Sequence, residues 1–369
     1  MSSQSCQSCH SLHSPHSRVT LQTIALAAGV SRSTVSKALR NDRTIPPGTC
    51  QRVQKLATEM GYTPDPAVSS LMAQLRLRRG HKYLEPIAFV TSTPTRDGWK
   101  KSSSYRDYFS GAEQRCKELG FQLETFWMGD ANWNGERLSQ ILRTRNIRGI
   151  LIAPTGSLEM DLGLRWEWFA TAAFGYTLKF PPCHRATNHQ YRSTLRAFQN
   201  LDERGYRRIG LLFPKSYDQW IINNRFAALS VYQSYIPRGS CVPPLMNTKA
   251  ETRDGCLEWI KKHRVDSIIC LEGSIVRWLM EAGLSIPDEL GLVQLTAFDE
   301  SEPGVACIDQ NSTFIGATAI DLITEQLYEN RLGIPKHQKI LLSEGYWRDG
   351  WTVRPKIGMT PSIHWRHLL

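Results

Sequence analysis

Three short helices are predicted between residues 19 and 63, where apolar side chains recur every three or four positions. Thr20 is placed to cap the first helix with its hydroxyl, and Gly29 ends it where a left-handed backbone is needed. Ser31 is placed to cap the second helix, and the third begins near Pro46. The predicted inward residues are Leu21, Ile24, Ala25, Ala28, Val35, Leu39, Val53, Leu56, Ala57 and Met60.

The outer face of the second helix consists of short hydroxyls and two cations. Such a face suits base edges and phosphates better than a protein core. Two short helices joined through a glycine turn form a helix-turn-helix, whose second helix enters the DNA major groove. A small helical hairpin of another kind is the alternative. The residues of this face are Arg32, Ser33, Thr34, Ser36 and Lys37.

A hinge helix and a basic linker are predicted over residues 64–85. Pro66 fits the first turn of a short helix that reaches Leu71. Residues 72–82 then contain four Lys or Arg side chains and can prolong that helix.

From Pro86 onward, short apolar runs alternate with helical patterns. This alternation predicts parallel sheets covered on both faces by crossover helices, and the number of strands favours two doubly wound subdomains over one sheet. The predicted strands are 87–90, 121–126, 149–153, 171–174, 209–213, 267–270 and 291–295. The predicted helices are 106–119, 134–145, 190–204, 224–235, 252–263, 274–282 and 314–332.

The positive charge of the chain is concentrated near its N-terminus. The 369 residues have a formal net charge of +11, and residues 1–85 contain eleven Lys or Arg against four Asp or Glu, a net charge of +7. An excess of this kind is typical of proteins that displace counterions from DNA phosphates. The length and the 41% hydrophobic content are sufficient for two or three domains.

Residues 1–18 are predicted to be a disordered polar tail, with neither a secretory signal nor a membrane span. Cys6, Cys9 and His10 have the spacing of a metal or haem-attachment motif, which stays open as the alternative. Nine scattered cysteines, an odd number, indicate reduced thiols and a cytoplasmic protein. We therefore expect no cofactor and no metal.

Common enzyme motifs are absent from the sequence. It contains no dinucleotide-binding glycine motif after a strand, no phosphate loop and no nucleophile elbow. His184, His189 and His263 are scattered without metal-ligand spacing. We expect a protein that is not an enzyme.

Residues 19–71 resemble the DNA-binding headpiece and hinge helix of the LacI/GalR family of bacterial transcription regulators. The matching positions, in order and spacing, are Thr20, Ala25, Ala28, Gly29, Val30, Ser31, Thr34, Val35, Ser36, Leu39, Arg52, Val53, Gly61, Tyr62, Pro64 and Leu71. The resemblance implies that Leu71 of each of two subunits wedges into the minor groove, with an ordinary core leucine as the alternative. The DNA-binding residues it implies are Thr20, Ser31, Arg32, Ser33, Thr34, Ser36, Lys37 and Asn41.

By the same resemblance, residues 86–369 form an effector-binding and dimerisation domain similar to periplasmic sugar-binding proteins. The chain is expected to cross between two subdomains near Asn188, near Asp309-Gln310 and near Lys339. The expected N-subdomain contains 86–188 and 311–338, and the C-subdomain contains 189–308 and 339–369. The effector is expected in the cleft between them, beyond the carboxyl ends of the strands.

Two charged residues and several aromatic residues are candidates for effector binding. Asp299 and Arg225 match ligand-contacting positions of the family, and such a pair binds vicinal hydroxyls through charge-assisted hydrogen bonds. Glu272 stands where the family has an Asn-Asp pair, so that contact is either replaced or lost. The aromatic candidates for stacking on a sugar ring are Tyr105, Tyr108 and Trp220, with core or rim packing as their alternative.

These features together predict a sequence-specific transcription repressor that is controlled by a sugar-type effector. It is expected to bind a pseudo-palindromic operator in double-stranded DNA as a homodimer, because protein symmetry then matches DNA symmetry. No membrane partner is expected. The alternative is a ligand-sensing or scaffold protein that has no operator-specific role.

Overall fold

The structure is a computed structural model in which two compact units can be distinguished, residues 1–75 and residues 76–369. It describes residues 19–39, 42, 44–62, 85–129, 134–155, 161–247, 252–271, 274–296, 303–356, 358 and 360–369. The predicted polar tail, with Cys6, Cys9 and His10, lies outside the described residues, as does the predicted hinge segment.

The described part of the first unit contains three helices around a small apolar core. They are α1 (Leu21–Ala28), α2 (Arg32–Leu39) and α3 (Pro47–Glu59). The Thr20 hydroxyl accepts a hydrogen bond from the backbone N–H of Thr23 at 3.3 Å. In return, the Thr23 hydroxyl accepts a hydrogen bond from the backbone N–H of Thr20 at 2.8 Å. Gly29 ends α1 at a φ of +64°, a conformation that favours glycine. The buried core residues are Ile24, Ala25, Ala28, Val35, Ala38, Cys50, Val53 and Ala57.

The second unit contains two sheets of mainly parallel strands. The first sheet has six parallel strands in the order β10-β5-β4-β3-β1-β2. The second has the order β11-β9-β8-β7-β6, and β11 is antiparallel to β9. The strands are β1 (Glu85–Thr91), β2 (Phe121–Trp127), β3 (Gly149–Ile152), β4 (Ala170–Phe174), β5 (His184–Asn188), β6 (Ile209–Leu212), β7 (Ser267–Cys270), β8 (Gly291–Gln294), β9 (Cys307–Asp309), β10 (Ile340–Ser343) and β11 (Tyr346–Arg348).

Helices cover both faces of each sheet, so the central strands are buried and almost wholly apolar. The helices of the second unit are α4 (Ser103–Leu119), α5 (Gly135–Thr144), α6 (Gln190–Asp202), α7 (Lys215–Gln219), α8 (Asn224–Tyr235), α9 (Arg253–His263), α10 (Ser274–Glu281) and α11 (Ser312–Tyr328). The predicted doubly wound α/β architecture with two subdomains is confirmed.

The helices α4 and α11 cross in direct backbone contact on one face of the first sheet. A Cβ atom at Gly111 would lie 1.9 Å from the Thr313 carbonyl oxygen, and one at Gly316 would lie 2.2 Å from the Tyr108 carbonyl oxygen. Only glycine fits at such a crossing. Because α11 follows the second crossover of the chain, this contact fixes the start of α4 near the cleft end of the sheet.

The chain crosses between the two sheets three times. The first two crossovers follow β5 at Asn188 and β9 at Asp309, as expected. The third follows Ser343 rather than Lys339, because Ile340–Ser343 pairs with β5 and so still belongs to the first sheet.

Asn188 connects these crossovers through its side chain. Its Nδ2 donates to the carbonyl oxygens of Ser343 at 3.1 Å and of Gln310 at 3.5 Å. Its Oδ1 accepts from the Ser193 hydroxyl at 2.8 Å. One buried amide therefore joins all three crossovers to the first turn of α6.

Candidate nucleic-acid interface and effector cleft

The N-terminus of α2 is built by hydroxyl groups. The Ser31 Oγ accepts a hydrogen bond from the backbone N–H of Thr34 at 3.0 Å, which is the predicted cap. The same oxygen lies 2.7 Å from the Ser33 Oγ and 2.8 Å from the Thr34 Oγ1. Three hydroxyls are thus gathered at the end of the helix where its dipole favours an anion such as a phosphate.

The outer face of α2 has the expected polar character. Arg32 and Ser33 are exposed, and Thr34, Ser36 and Lys37 are half-buried. Val35 and Ala38 on the opposite face are completely buried. The helix therefore presents its cations and hydroxyls outward while its apolar face anchors it to α1 and α3.

Contacts within the first unit hold α2 in place. The Gln54 amide of α3 donates to the Ala38 carbonyl at 3.0 Å, at the last turn of α2. The Lys37 ammonium lies 3.4 Å from the Thr44 hydroxyl. Neither contact could be inferred from the sequence, because both join residues that are distant along the chain or across a turn. Thr20 is exposed at the start of α1, and Asn41 and Leu71 lie outside the described residues.

Arg225 is a buried cation at the second position of α8 and is 5% exposed. Its Nη2 donates to the Gln190 Oε1 at 3.2 Å, and its guanidinium carbon lies 5.2 Å from the centre of the Phe213 ring. Its Nε has no hydrogen-bond partner among the described residues. Burial lowers the pKa of Arg225 to about 10, and the nearby Asp218 partly opposes that shift.

Asp218 does not form a side-chain ion pair with this guanidinium. Its two carboxylate oxygens accept the backbone N–H groups of Arg225 at 3.1 Å and of Phe226 at 3.0 Å. Asp218 therefore caps the start of α8 and orients it. Arg225 keeps hydrogen-bonding capacity for a ligand.

The aromatic candidates differ in how accessible they are. Tyr108 is 8% exposed, and its ring stacks between Phe174 at 4.6 Å and Tyr105 at 6.2 Å. The Tyr108 ring stacks on both neighbours, and its hydroxyl forms a hydrogen bond with the Ser312 side chain. Tyr105 and Trp220 are half-buried.

Tyr217 of α7 lies close to two of the candidate residues. Burial raises the pKa of Tyr105, and Tyr217 adds to this effect. The Tyr217 ring lies 4.9 Å from the Trp220 ring, and its carbonyl oxygen lies 3.5 Å from the Arg225 Nη1. Sequence reasoning missed Tyr217, because no motif marks a residue that acts through contacts with several elements.

Tyr217 thus lies against both Trp220 and Arg225, on the part of the chain that follows β6 of the second sheet. Tyr105 lies in the first turn of α4, after β1 of the first sheet. Glu272 and Asp299, the expected acids of the cleft, lie outside the described residues. Among those described, the structure shows no group of His, Cys, Asp and Glu side chains that fits a metal ion. No described helix is long and apolar enough to cross a bilayer.

Two protein families match separate parts of the chain. Residues 20–65 match the family described as bacterial regulatory proteins, lacI family. Residues 198–348 match the family described as periplasmic binding protein-like domain.

Curated relatives of the chain are bacterial regulators. The HTH-type transcriptional regulator KdgR of Bacillus subtilis is 23% identical over 86% of this chain and 93% of its own length. The HTH-type transcriptional regulator Rv3575c of Mycobacterium tuberculosis is 31% identical over 31% of this chain. That second match spans 30% of the length of the relative.

Solved structures share the fold across most of the chain. A complex of the transcriptional regulator CelR with cellobiose superposes with a TM-score of 0.54 at 18% identity, covering 91% of this chain and all of that one. The lac repressor dimer bound to operator and the anti-inducer ONPF gives a TM-score of 0.54 at 16% identity, covering 92% and 100%.

Proposed function

We propose that this chain is a lacI-family DNA-binding transcriptional regulator with a periplasmic binding protein-like domain, and that it represses transcription from a pseudo-palindromic operator under the control of a sugar-type effector. It acts as a homodimer in the cytoplasm, where two headpieces contact the two half-sites of the operator. Half-sites related by a two-fold axis require a protein with the same symmetry.

The observation that carries this proposal is the outer face of α2. Arg32 and Lys37 supply charge for phosphates and guanine edges, and the hydroxyls of Ser33 and Ser36 adapt to either kind of contact. The Ser31 cap fixes the start of the helix, so these side chains are presented in one geometry. Arg32 and Ser33 are exposed on this face, whereas Val35 and Ala38 on the opposite face belong to the small core.

The proposed DNA contacts extend beyond the described helices. The side chains of Thr20, Thr34 and Asn41 would contact the sugar-phosphate backbone and the bases of the DNA next to α2. Leu71 of each subunit would enter the minor groove at the operator centre. An inserted apolar side chain unstacks a base step, so it gains free energy only where the bent duplex makes further contacts.

The proposed effector site lies in the cleft of the second unit. Arg225 supplies charge-assisted hydrogen bonds to hydroxyl groups, together with Asp299 and Glu272. Tyr105 and Trp220 border the ligand, and Tyr108 takes part through a hydroxyl that also bonds to Ser312. The cellobiose complex of CelR supports a sugar as the class of effector.

A DNA-binding experiment with the full chain tests the proposal. Fluorescence anisotropy compares labelled genomic fragments from upstream of the chain's own gene with random DNA of equal length, at moderate salt. We expect at least about 1,000-fold tighter binding to one upstream fragment, because specific DNA binding is typically about 10³–10⁷-fold tighter than non-specific binding. Equal affinity for all fragments, with and without a panel of sugars, contradicts the proposal.

A further inference from the structure

The strand β10 forms one edge of the first sheet, where it pairs with β5 on one side only. Its residues Ile340, Leu341 and Leu342 are 43%, 42% and 45% exposed. Because the three are consecutive, their side chains stand on both faces of the strand. Proteins usually protect such an edge with charged side chains, proline or a bulge, since exposed apolar residues there favour pairing with another strand.

Half of the backbone groups of β10 point away from the sheet. The backbone N–H of Arg185 donates to the Lys339 carbonyl at 2.9 Å, and that of His189 donates to the Ser343 carbonyl at 2.8 Å. In a parallel pair, alternate residues of a strand bond to the same neighbour. Residues 339, 341 and 343 therefore bond to β5, whereas Ile340 and Leu342 direct their N–H and C=O groups outward. No described segment bonds to these outward groups.

The other described sheet edges differ from β10 in their exposed side chains. On β2 the exposed residues are Gln122 and Thr125, which are polar. The strand β6 is wholly buried, and Leu212 in it bridges to Leu245 of a neighbouring loop. The strand β11 ends in Arg348, an exposed cation. Of the sheet edges in the described part of the chain, β10 is thus the one whose exposed side chains are all apolar.

A second copy of β10 fits this edge in one particular register. Two identical strands related by a two-fold axis perpendicular to the sheet run antiparallel, and each keeps the same side chains on the same face. With the axis at Leu341, Ile340 of one copy lies opposite Leu342 of the other. These are the residues with outward backbone groups, so they exchange N–H···O bonds on each side of the axis. Every exposed apolar side chain of β10 then faces an apolar side chain.

The charges that flank β10 do not oppose this pairing. Lys339 and Glu344 lie at its two ends, and with the axis at Leu341 neither faces its own copy. The Lys339 ammonium pairs with Glu325 of the same chain, and the Glu344 carboxylate lies 3.2 Å from the Arg192 guanidinium. An identical strand is therefore complementary to β10 in hydrogen bonding, apolar contact and charge, which favours a second copy over an unrelated peptide.

We infer that β10 is an interface between two copies of this chain, in which two six-stranded sheets join across a two-fold axis at Leu341. The inference goes beyond the proposed function, because it concerns an assembly that forms without DNA and without an effector.

Sedimentation velocity of the full chain without DNA, over a broad range of protein concentration, tests the inference. Leu341→Lys puts a positive charge opposite its own copy, and we expect this variant to have half the mass of the wild type at intermediate concentrations. Its Tm should not change, since the position is already largely exposed. The control Tyr235→Lys adds the same charge at an exposed position on α8 and should have the mass of the wild type. Equal masses of the wild type and Leu341→Lys at every concentration overturn the inference.

Paired charges test the register. The double variant Ile340→Lys and Leu342→Glu places opposite charges across the axis, so it should associate. The double variant Ile340→Lys and Leu342→Lys places like charges there, so it should not. If the two double variants associate equally, the register is wrong and the inference is overturned.

Disulfide trapping tests the position of the axis. Leu341 would form a non-hydrogen-bonded pair with its own copy, with Cα atoms about 4.5 Å apart, which is within the range of a disulfide. Leu341→Cys should therefore give a disulfide-linked dimer under mild oxidation, with the linked peptide identified by mass spectrometry. In the control Ile340→Cys the two thiols lie on a diagonal of about 7–8 Å and should link far less. A partner of another kind at this edge would leave both variants unlinked, which overturns the inference.

Discussion

Replacing Arg225 by methionine separates a ligand-binding role from a structural one. The side chain is buried, its guanidinium lacks a carboxylate partner on its hydrogen-bonding edge, and methionine fills a similar volume without charge. If Arg225 serves the stability of the fold, the variant protein is less stable than the wild type. If Arg225 serves a ligand, the variant protein is more stable and no longer binds the ligand.

The magnitude follows from the desolvation of the guanidinium. Burial lowers the pKa of Arg225 to about 10. Since one pKa unit corresponds to about 1.4 kcal/mol, the folded state opposes this charge by roughly 3 kcal/mol. The variant also leaves the Gln190 Oε1 without its donor at 3.2 Å, which costs about 1–3 kcal/mol. We therefore expect the free energy of unfolding without ligand to rise by about 0–2 kcal/mol.

Two measurements check this expectation in the full chain. Calorimetry should show a Tm of the effector domain that is unchanged or raised, at about 2–4 °C per kcal/mol for domains of 150–250 residues. Titration should show at least tenfold weaker effector binding, because a hydrogen bond to a charged group contributes about 1.5–3 kcal/mol. Operator affinity without effector should not change.

Arg204→Met is the matched control, since Arg204 is equally buried but has protein partners. Arg204 is 4% exposed, pairs with Asp349 and donates to the Asn200 carbonyl at 3.0 Å. Its guanidinium carbon also lies 4.7 Å from the centre of the Trp347 ring. The Arg204→Met variant should be less stable than the wild-type protein and should keep its effector response. If Arg225→Met instead loses several degrees of Tm and keeps its effector response, Arg225 is a structural residue and the cleft assignment is refuted.

Three further predictions concern the DNA-binding unit. Arg32→Ala should relax base preference at one operator position by about 1–3 kcal/mol in a binding-site selection, whereas a uniform loss across sequences reassigns it to a phosphate. Leu71→Ala should weaken binding to the operator more than binding to random DNA in anisotropy titrations, and equal loss on both contradicts the wedge. Ser31→Ala removes the acceptor of the Thr34 N–H at 3.0 Å and should destabilise α2 by about 1 kcal/mol, seen as roughly fivefold faster amide hydrogen exchange in the intact chain. Unchanged exchange in α2 shows that the cap contributes little.

The three-helix headpiece could be predicted almost residue by residue, because its determinants are local. The caps at Thr20 and Ser31 act within three residues, and the left-handed conformation at Gly29 depends on that residue alone. Leu39, predicted to face inward, is partly buried, while Ala38 beside it is fully buried.

One of the strands that escaped prediction, β5, has side chains that do not look buried. β5 contains His184 and Arg185, yet every residue in it is buried. Arg185 is accommodated because its guanidinium donates to the carbonyls of Gly175 and Leu178. The His184 Nδ1 accepts from the backbone N–H of Lys339 at 3.0 Å. These partners come from distant segments, so periodicity could not reveal the strand.

The effector site stays a prediction, and the sequence did not show the surroundings of its candidate residues for the same reason. Arg225 and Tyr105 were candidates from the sequence. Gln190, which accepts from Arg225, and Asp218, which caps α8, are identifiable only once the fold brings them to that position.

An effector that contacts both sides of the cleft can act as a switch only through its differential affinity for two arrangements of the subdomains. Moving such an equilibrium from 1:99 to 99:1 requires about 5.5 kcal/mol, which two or three charge-assisted hydrogen bonds can supply if they form in one arrangement only. Arg225 belongs to one subdomain and Tyr105 to the other, and Asn188 joins the three crossovers between them. A ligand held by one side alone would bind without favouring either arrangement. Losing either the Arg225 guanidinium or the Tyr105 ring should therefore abolish the DNA response more completely than it weakens binding, and losing both should add little further to the loss of response.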